Sequence, residues 1–189
     1  MFAQLDTKSV YSFMDSVVDL TTYVERAKKL GYQALGLMDR DNLYAAYHFA
    51  QFASSKGLRP LIGMEANLFY EGRKIPFRLL AKNNQGYKNL MKLATELSSG
   101  QREFTAFSDY LNAIALILPS EEWEPGMTLG SEVFIGIRPE DAGKEFDYPV
   151  IPLHTVRYFE NVDRSTIQML HAISQNVSLS EASICPMNQ

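Results

Sequence analysis

Four segments of this chain set ionisable or hydrogen-bonding side chains at or just beyond short apolar runs. They are Asp6, Lys8 and Asp15; Asp39, Arg40 and Asp41; Glu65, between Met64 and Ala66; and His154, Thr155 and Arg157. Carboxylates and imidazoles that converge from separate strand ends are the donor set of a metal-dependent hydrolase, in which bound cations activate water. The histidine supply is too small for that chemistry. Of the three histidines, His48 stands mid-helix beside Phe49 and reads as a packed or surface residue. His171 lies on the final helix near its apolar stripe, and only His154 stands at a strand end. A histidine-rich polynuclear site cannot be assembled from that set, and the plainer reading is a solvated rim of strand ends. The single cysteine, Cys185, excludes an internal disulfide framework and a cysteine zinc cluster.

The elements that must position these groups alternate strand with helix. A short strand is expected at residues 2–5. A helix follows over 20–30, with Asp19 as N-cap, Tyr23, Val24, Ala27 and Leu30 as its apolar stripe, and Gly31 just past its end. Residues 34–38 form a compact apolar run and read as a buried strand. A helix over 43–56 carries Ala46, Phe49, Ala50 and Ala53 on one face and ends at Gly57. Residues 61–69 read as a strand, Glu71-Gly72 as a turn, and 76–81 as the returning strand. A helix over 85–97, strands at 113–118, 133–137 and 150–153, and a last helix with Asp163 as N-cap complete the set. That helix carries Ile167, Leu170, His171 and Ile173. The tail after Leu179 has no closing element, which predicts that the chain continues beyond Gln189. Strands and helices alternating in this way predict an α/β fold with a mostly parallel sheet, either a closed barrel or an open doubly wound sheet. In both, chemistry sits at the carboxyl ends of strands, where the four segments lie.

Composition narrows the function classes. The 189 residues are 46% hydrophobic and 21% charged, with a net charge of −4, which is the profile of a soluble globular domain. No apolar run approaches the ~20 residues of a membrane-spanning helix, and the start lacks the basic-then-apolar pattern of a secretory signal. A cytoplasmic location is expected. No basic stripe of the kind that displaces counterions from DNA is present. The densest basic stretch, residues 25–29, reads as the solvated face of a helix. No Gly-rich phosphate loop occurs. Trp123, among Glu121, Glu122 and Glu124, reads as a loop anchor, since indole usually finds burial.

Several ordered strings carry a resemblance. They are Tyr11-Ser12-Phe13-Met14-Asp15-Ser16, the run 34–43 through Asp39-Arg40-Asp41, the run 58–65 ending in Gly63-Met64-Glu65, and the run 79–93. Together they resemble the polymerase-and-histidinol-phosphatase (PHP) domain that opens DnaE-type bacterial replicative polymerases, the alpha subunits of polymerase III. The likeness is greatest to the short Gram-positive form. It is nearly continuous over residues 1–99 and resumes at 152–179, while 100–148 is abbreviated. It implies a distorted (βα)7 TIM-like barrel over residues 1–179, with 180–189 as a tail towards the polymerase domains.

Active members of that family hold up to three metal ions. Carried over by position, the early His-x-His pair falls on Asp6 and Lys8, and the Asp-His-Gly histidine on Arg40. The late Asp-x-His pair falls on Thr155 and Arg157, while Asp15 and Glu65 are retained. Ammonium and guanidinium groups cannot ligate a metal while protonated. The expectation is therefore a degenerate site with no metal and no catalytic residue. Asp6, Asp15 and Glu65 would supply three negative charges, and Lys8, Arg40 and Arg157 three positive ones. The resemblance implies a supporting role in a DNA-directed DNA polymerase that uses magnesium, dNTPs and template-primer DNA, with the sliding clamp among its partners. Its alternatives are a metal-dependent phosphoesterase or 3′–5′ proofreading exonuclease, and a stand-alone binding protein.

Overall fold

The computed structural model describes residues 3–130 and 132–182; Cys185 lies outside them. Its strands are β1 (Ala3–Gln4), β2 (Asp6–Thr7), β3 (Ala34–Arg40), β4 (Arg59–Tyr70), β5 (Arg73–Ala81), β6 (Ile114–Pro119), β7 (Val133–Ile137), β8 (Val150–Pro152) and β9 (Thr155–Val156). Its helices are α1 (Leu20–Lys29), α2 (Ala46–Ser55), α3 (Asn84–Ser98) and α4 (Asn161–Gln175). Seven strands form one curled sheet in the order β1-β3-β4-β5-β6-β7-β8, and β2 pairs separately with β9. The edge strands β1 and β8 are each followed within two residues by one member of that second pair.

The sheet is mostly parallel, as the alternation of strands and helices predicts, with one reversed strand, β5. β1, β3 and β4 run parallel, β4-β5-β6 antiparallel, and β6-β7-β8 parallel again. The reversal originates at Glu71-Gly72, where both residues have positive φ, 50° and 79°. That conformation matches the twist of a two-residue hairpin and returns the chain at once into β5. The expected strand at 2–5 divides at Leu5. Gly36 permits the crossing, because a Cβ there would stand 2.0 Å from the Leu5 carbonyl oxygen.

Helix ends follow their caps. Asp19 accepts the Thr22 amide at 2.9 Å, and Gly31 adopts the left-handed conformation beyond α1, both as the residue types predict. α2 starts at Ala46, later than expected, because Asn42 Oδ1 accepts the Tyr44 amide and holds a turn there. The N-cap of α4 is Glu160, not Asp163. Asp163 lies in the first turn and its carboxylate accepts the Glu160 amide at 3.2 Å.

Side-chain alternation divides the sheet into two faces. Met64, Ala66 and Leu68 of β4 pack with Ile75, Phe77 and Leu79 of β5 against α3 and the 3-10 turn at Phe104–Tyr110. Leu35 and Leu37 of β3 pack on α1 and α2. The opposite, concave face carries Met38, Ile117 and Leu153 as a small apolar floor. On that face also stand the residues of opposite parity, Arg40, Glu65 and Arg78.

Candidate functional site

Strand register builds the centre of the site. Arg40 of β3 is the cross-strand partner of Glu65 on β4, and Glu65 is the partner of Arg78 on β5. Asp6 of β2 is the partner of Thr155 on β9. Side chains at paired positions share a face and lie within reach of each other. Three consecutive strands therefore place cation, carboxylate and cation in a row, with Asp6 and Lys8 entering from the adjoining pair.

The contacts form one connected network. Lys8 Nζ lies 3.0 Å from Asp6 Oδ1 and 2.9 Å from Glu65 Oε2, and donates to the Met38 carbonyl at 2.6 Å. Arg78 donates from Nε to Asp6 Oδ2 at 3.0 Å and sets Nη2 3.3 Å from Glu65 Oε2. Arg40 donates from Nε to Glu65 at 3.0 Å and from Nη2 to Asp15 at 2.7 Å. Arg157 Nε donates to the other Asp15 oxygen at 3.1 Å. The Thr155 hydroxyl donates to Asp6 at 2.6 Å. All seven positions singled out from the sequence, Asp6, Lys8, Asp15, Arg40, Glu65, Thr155 and Arg157, thus meet in one place.

Two further members were not anticipated. Arg78 is nearly fully buried and bridges two of the three carboxylates. His171 Nε2 lies 3.3 Å from Asp15 Oδ1, reaching it from α4. Among the described residues, the cluster therefore sets three carboxylates against the cationic side chains of Lys8, Arg40, Arg78 and Arg157, not three against three. His154, the one histidine at a strand end, stays outside: it is exposed and its backbone carbonyl accepts from Gln4. His48 is exposed on α2 with its ring edge-on to Tyr47. Trp123 is half-buried and packs edge-to-face on Phe146 at 5.2 Å.

The cluster is dry at its centre, which overturns the reading of a solvated rim. Asp6 and Lys8 have no exposed side-chain surface and Glu65 has 3%, whereas Arg40 is 40% exposed at the mouth. These groups stand beside the apolar floor of Met38, Ile117 and Leu153 and are withdrawn from water. Burial pushes the Asp6 carboxyl upward, but Lys8 and Arg78 outweigh it and hold the group down at about 2. The same opposition, with Arg40 added, holds Glu65 well below the ordinary carboxylate range. Burial lowers the guanidinium groups of Arg40 and Arg78, and their carboxylate partners more than offset it. Asp6 Oδ1 receives no aligned hydrogen bond, so the Lys8 charge beside it is its compensation.

A divalent cation would need those same oxygens as ligands. Ammonium and guanidinium groups occupy them and would repel it. Among the described residues, no group of three or more His, Cys, Asp or Glu side chains is disposed to hold a metal ion. The residues present do not fit a metal cluster.

The PHP domain family profile matches residues 4–125. This chain belongs to the PHP domain family. The DNA polymerase III subunit alpha of Streptococcus pyogenes serotype M1 is 44% identical over 191 residues, an alignment that covers all of this chain and 18% of that relative. The subunit of the same name from Bacillus subtilis is 33% identical over 127 residues, or 64% of this chain and 11% of its own length. The chain thus spans under a fifth of the curated relatives it matches. Among solved structures, a two-domain Bacteroides vulgatus protein described as containing a PHP-like metal-dependent phosphoesterase aligns with a TM-score of 0.41 at 16% identity. That alignment covers 73% of this chain and 39% of that one. No helix among the described residues is long and apolar enough to cross a membrane.

Proposed function

We propose that this PHP domain is the N-terminal part of a bacterial replicative DNA polymerase III alpha subunit, and that its metal site has become an ionic cluster that holds shape without catalysing a reaction. The observation that carries this reading is Lys8 Nζ, seated within 3.0 Å of both Asp6 and Glu65. The Arg78 guanidinium spans the same two carboxylates from β5. The seven positions, with Arg78 and His171, tie β2, β3, β4, β5, β9 and α4 to one centre. Residues far apart in sequence are thereby held in one register.

The curled sheet and the β2–β9 pair are read as parts of one distorted (βα)7 TIM-like barrel spanning residues 1–179. Residues 180–189 then lead towards the polymerase portion. The parent enzyme would extend a primer on template DNA with dNTPs and magnesium, through catalytic residues outside this chain. It would work in the cytoplasm with the sliding clamp as a partner. A nuclease assay of the full-length protein with manganese tests the role of the site. The expected result is no manganese-dependent cleavage that differs between the natural protein and an Asp15→Asn Glu65→Gln variant. Cleavage abolished in that variant would establish the phosphoesterase or exonuclease reading instead.

A further inference from the structure

The loop that carries Asp15 into the cluster turns its hydrophobic side chains outward. Phe13 is 80% exposed, and Val10 and Tyr11 are about half so. Asn42 connects this loop to the approach to α2: its Nδ2 donates to the Tyr11 carbonyl at 3.1 Å and its Oδ1 accepts the Tyr44 amide at 3.1 Å. Tyr44 is 76% exposed, and Tyr47 on the first turn of α2 is also open. Asn42 thus sets two segments with exposed aromatics beside each other, and exposed apolar patches mark interaction surfaces.

The loop that carries Tyr11 and Phe13 is braced by buried hydrogen bonds. The buried Asp39 carboxylate accepts the Ser9 amide, the Ser9 hydroxyl and the Ser12 hydroxyl, each at 2.7 Å. Ser12 Oγ in turn accepts the Arg40 amide at 3.1 Å. Val10 is tied by its amide to the Val18 carbonyl. Aromatic side chains on an ordered backbone lose little freedom on docking, which is how binding anchors are presented.

Charge decides the kind of partner. Arg40 beside the patch is paired with Asp15 and Glu65, and Asp41 with Arg102. The patch therefore lacks the unpaired basic groove that single-stranded nucleic acid requires alongside stacking rings. An apolar protein surface is the complement that remains. We infer that Tyr11, Phe13, Tyr44 and Tyr47 form the face on which this domain docks against the rest of its own longer polypeptide. This rests on the polymerase reading above, in which the aligned region is 18% of the Streptococcus relative. The partner is then tethered and present at high effective concentration.

Hydroxyl-radical footprinting of the full-length protein without DNA tests the inference. The reference is Leu30, exposed at the opposite end of β3, and rates are normalised to each side chain's intrinsic reactivity. The four aromatics are expected to oxidise several-fold more slowly than Leu30, independently of protein concentration. Oxidation as fast as at Leu30 overturns the inference. Protection that arises only on adding a single-stranded oligonucleotide also overturns it, and assigns the patch to nucleic acid. Protection lost on dilution overturns it in favour of a second copy. None of these outcomes depends on whether Lys8 or a metal ion occupies the cluster, so failure here leaves the ionic-cluster reading standing.

Discussion

Lys8 and Glu65 meet as a 2.9 Å ion pair with essentially no exposed side-chain surface on either partner. Lys8 comes from the end of β2, where its amide donates to the Val156 carbonyl, and Glu65 comes from the middle of β4. The pair is therefore a strut between two sheets, and its neighbours Asp6, Arg78 and Arg40 make it one edge of a closed network. A buried ion pair can be costly to assemble, yet removing one partner leaves the other charge unpaired in a low-dielectric site.

Lys8→Met should therefore destabilise the protein by about 3 kcal/mol, since buried Asp6 would keep only Arg78 as a charged partner and Glu65 only Arg78 and the half-exposed Arg40. Glu25→Ala, which removes an exposed pair with Lys56, should cost less than about 1 kcal/mol. Urea unfolding of the two variants compares these values. Equal effects would mean that the centre of the cluster is wet.

Acid should weaken the fold through the same groups. The folded pKa of Asp6 is lowered from 3.8 to about 2, and that of Glu65 is lowered from 4.5. The unfolded chain thus takes up protons first as pH falls. The stability these carboxylates contribute is complete above their unfolded values and is lost as pH drops from about 4.5 towards 2. The urea midpoint should decline across that window, and less steeply in Asp6→Asn.

Arg78→Lys tests whether the fork geometry matters. The guanidinium contacts Asp6, Glu65 and the Pro76 carbonyl from three different nitrogens, and a single ammonium cannot reproduce that reach. The expected loss is about 2 kcal/mol, the size of a hydrogen bond to a charged group. An unchanged unfolding midpoint would show that charge alone suffices.

Asp39→Asn should loosen the loop beneath Phe13. It replaces an anionic acceptor of three hydrogen bonds by an amide. The expected cost is about 2 kcal/mol, with faster hydrogen exchange at the Ser9 and Arg40 amides. Unaltered exchange there would mean that the loop is held by other contacts.

Much of the site was legible because each of its main contributors follows or interrupts an apolar run. Arg78 escaped notice although the sequence held a usable signal. A two-residue turn at Glu71-Gly72 pairs Tyr70 with Arg73, and counting back along the hairpin sets Glu65 opposite Arg78. A lone arginine between Phe77 and Leu79 must then face away from the core that those two enter, towards Glu65. His171 offered no comparable signal, since only tertiary packing of α4 brings it to Asp15. The reversal of β5 was likewise implicit in that turn. Alternation of strands and helices pointed to parallel pairing, but it does not register that α3 leads from β5 into an antiparallel neighbour. Depth was the least legible property: residue type suggests a wet rim, and only the assembled strands bury it.

The central claim is that Lys8 and the arginines stand where other PHP domains seat metal ions. Anomalous diffraction from crystals of the protein grown with excess manganese or zinc tests it directly. The account predicts Lys8 Nζ in contact with Asp6 and Glu65, and no anomalous peak within coordination distance of Asp15 or Glu65. An ordered ion bound to those carboxylates, with Lys8 displaced, would contradict it.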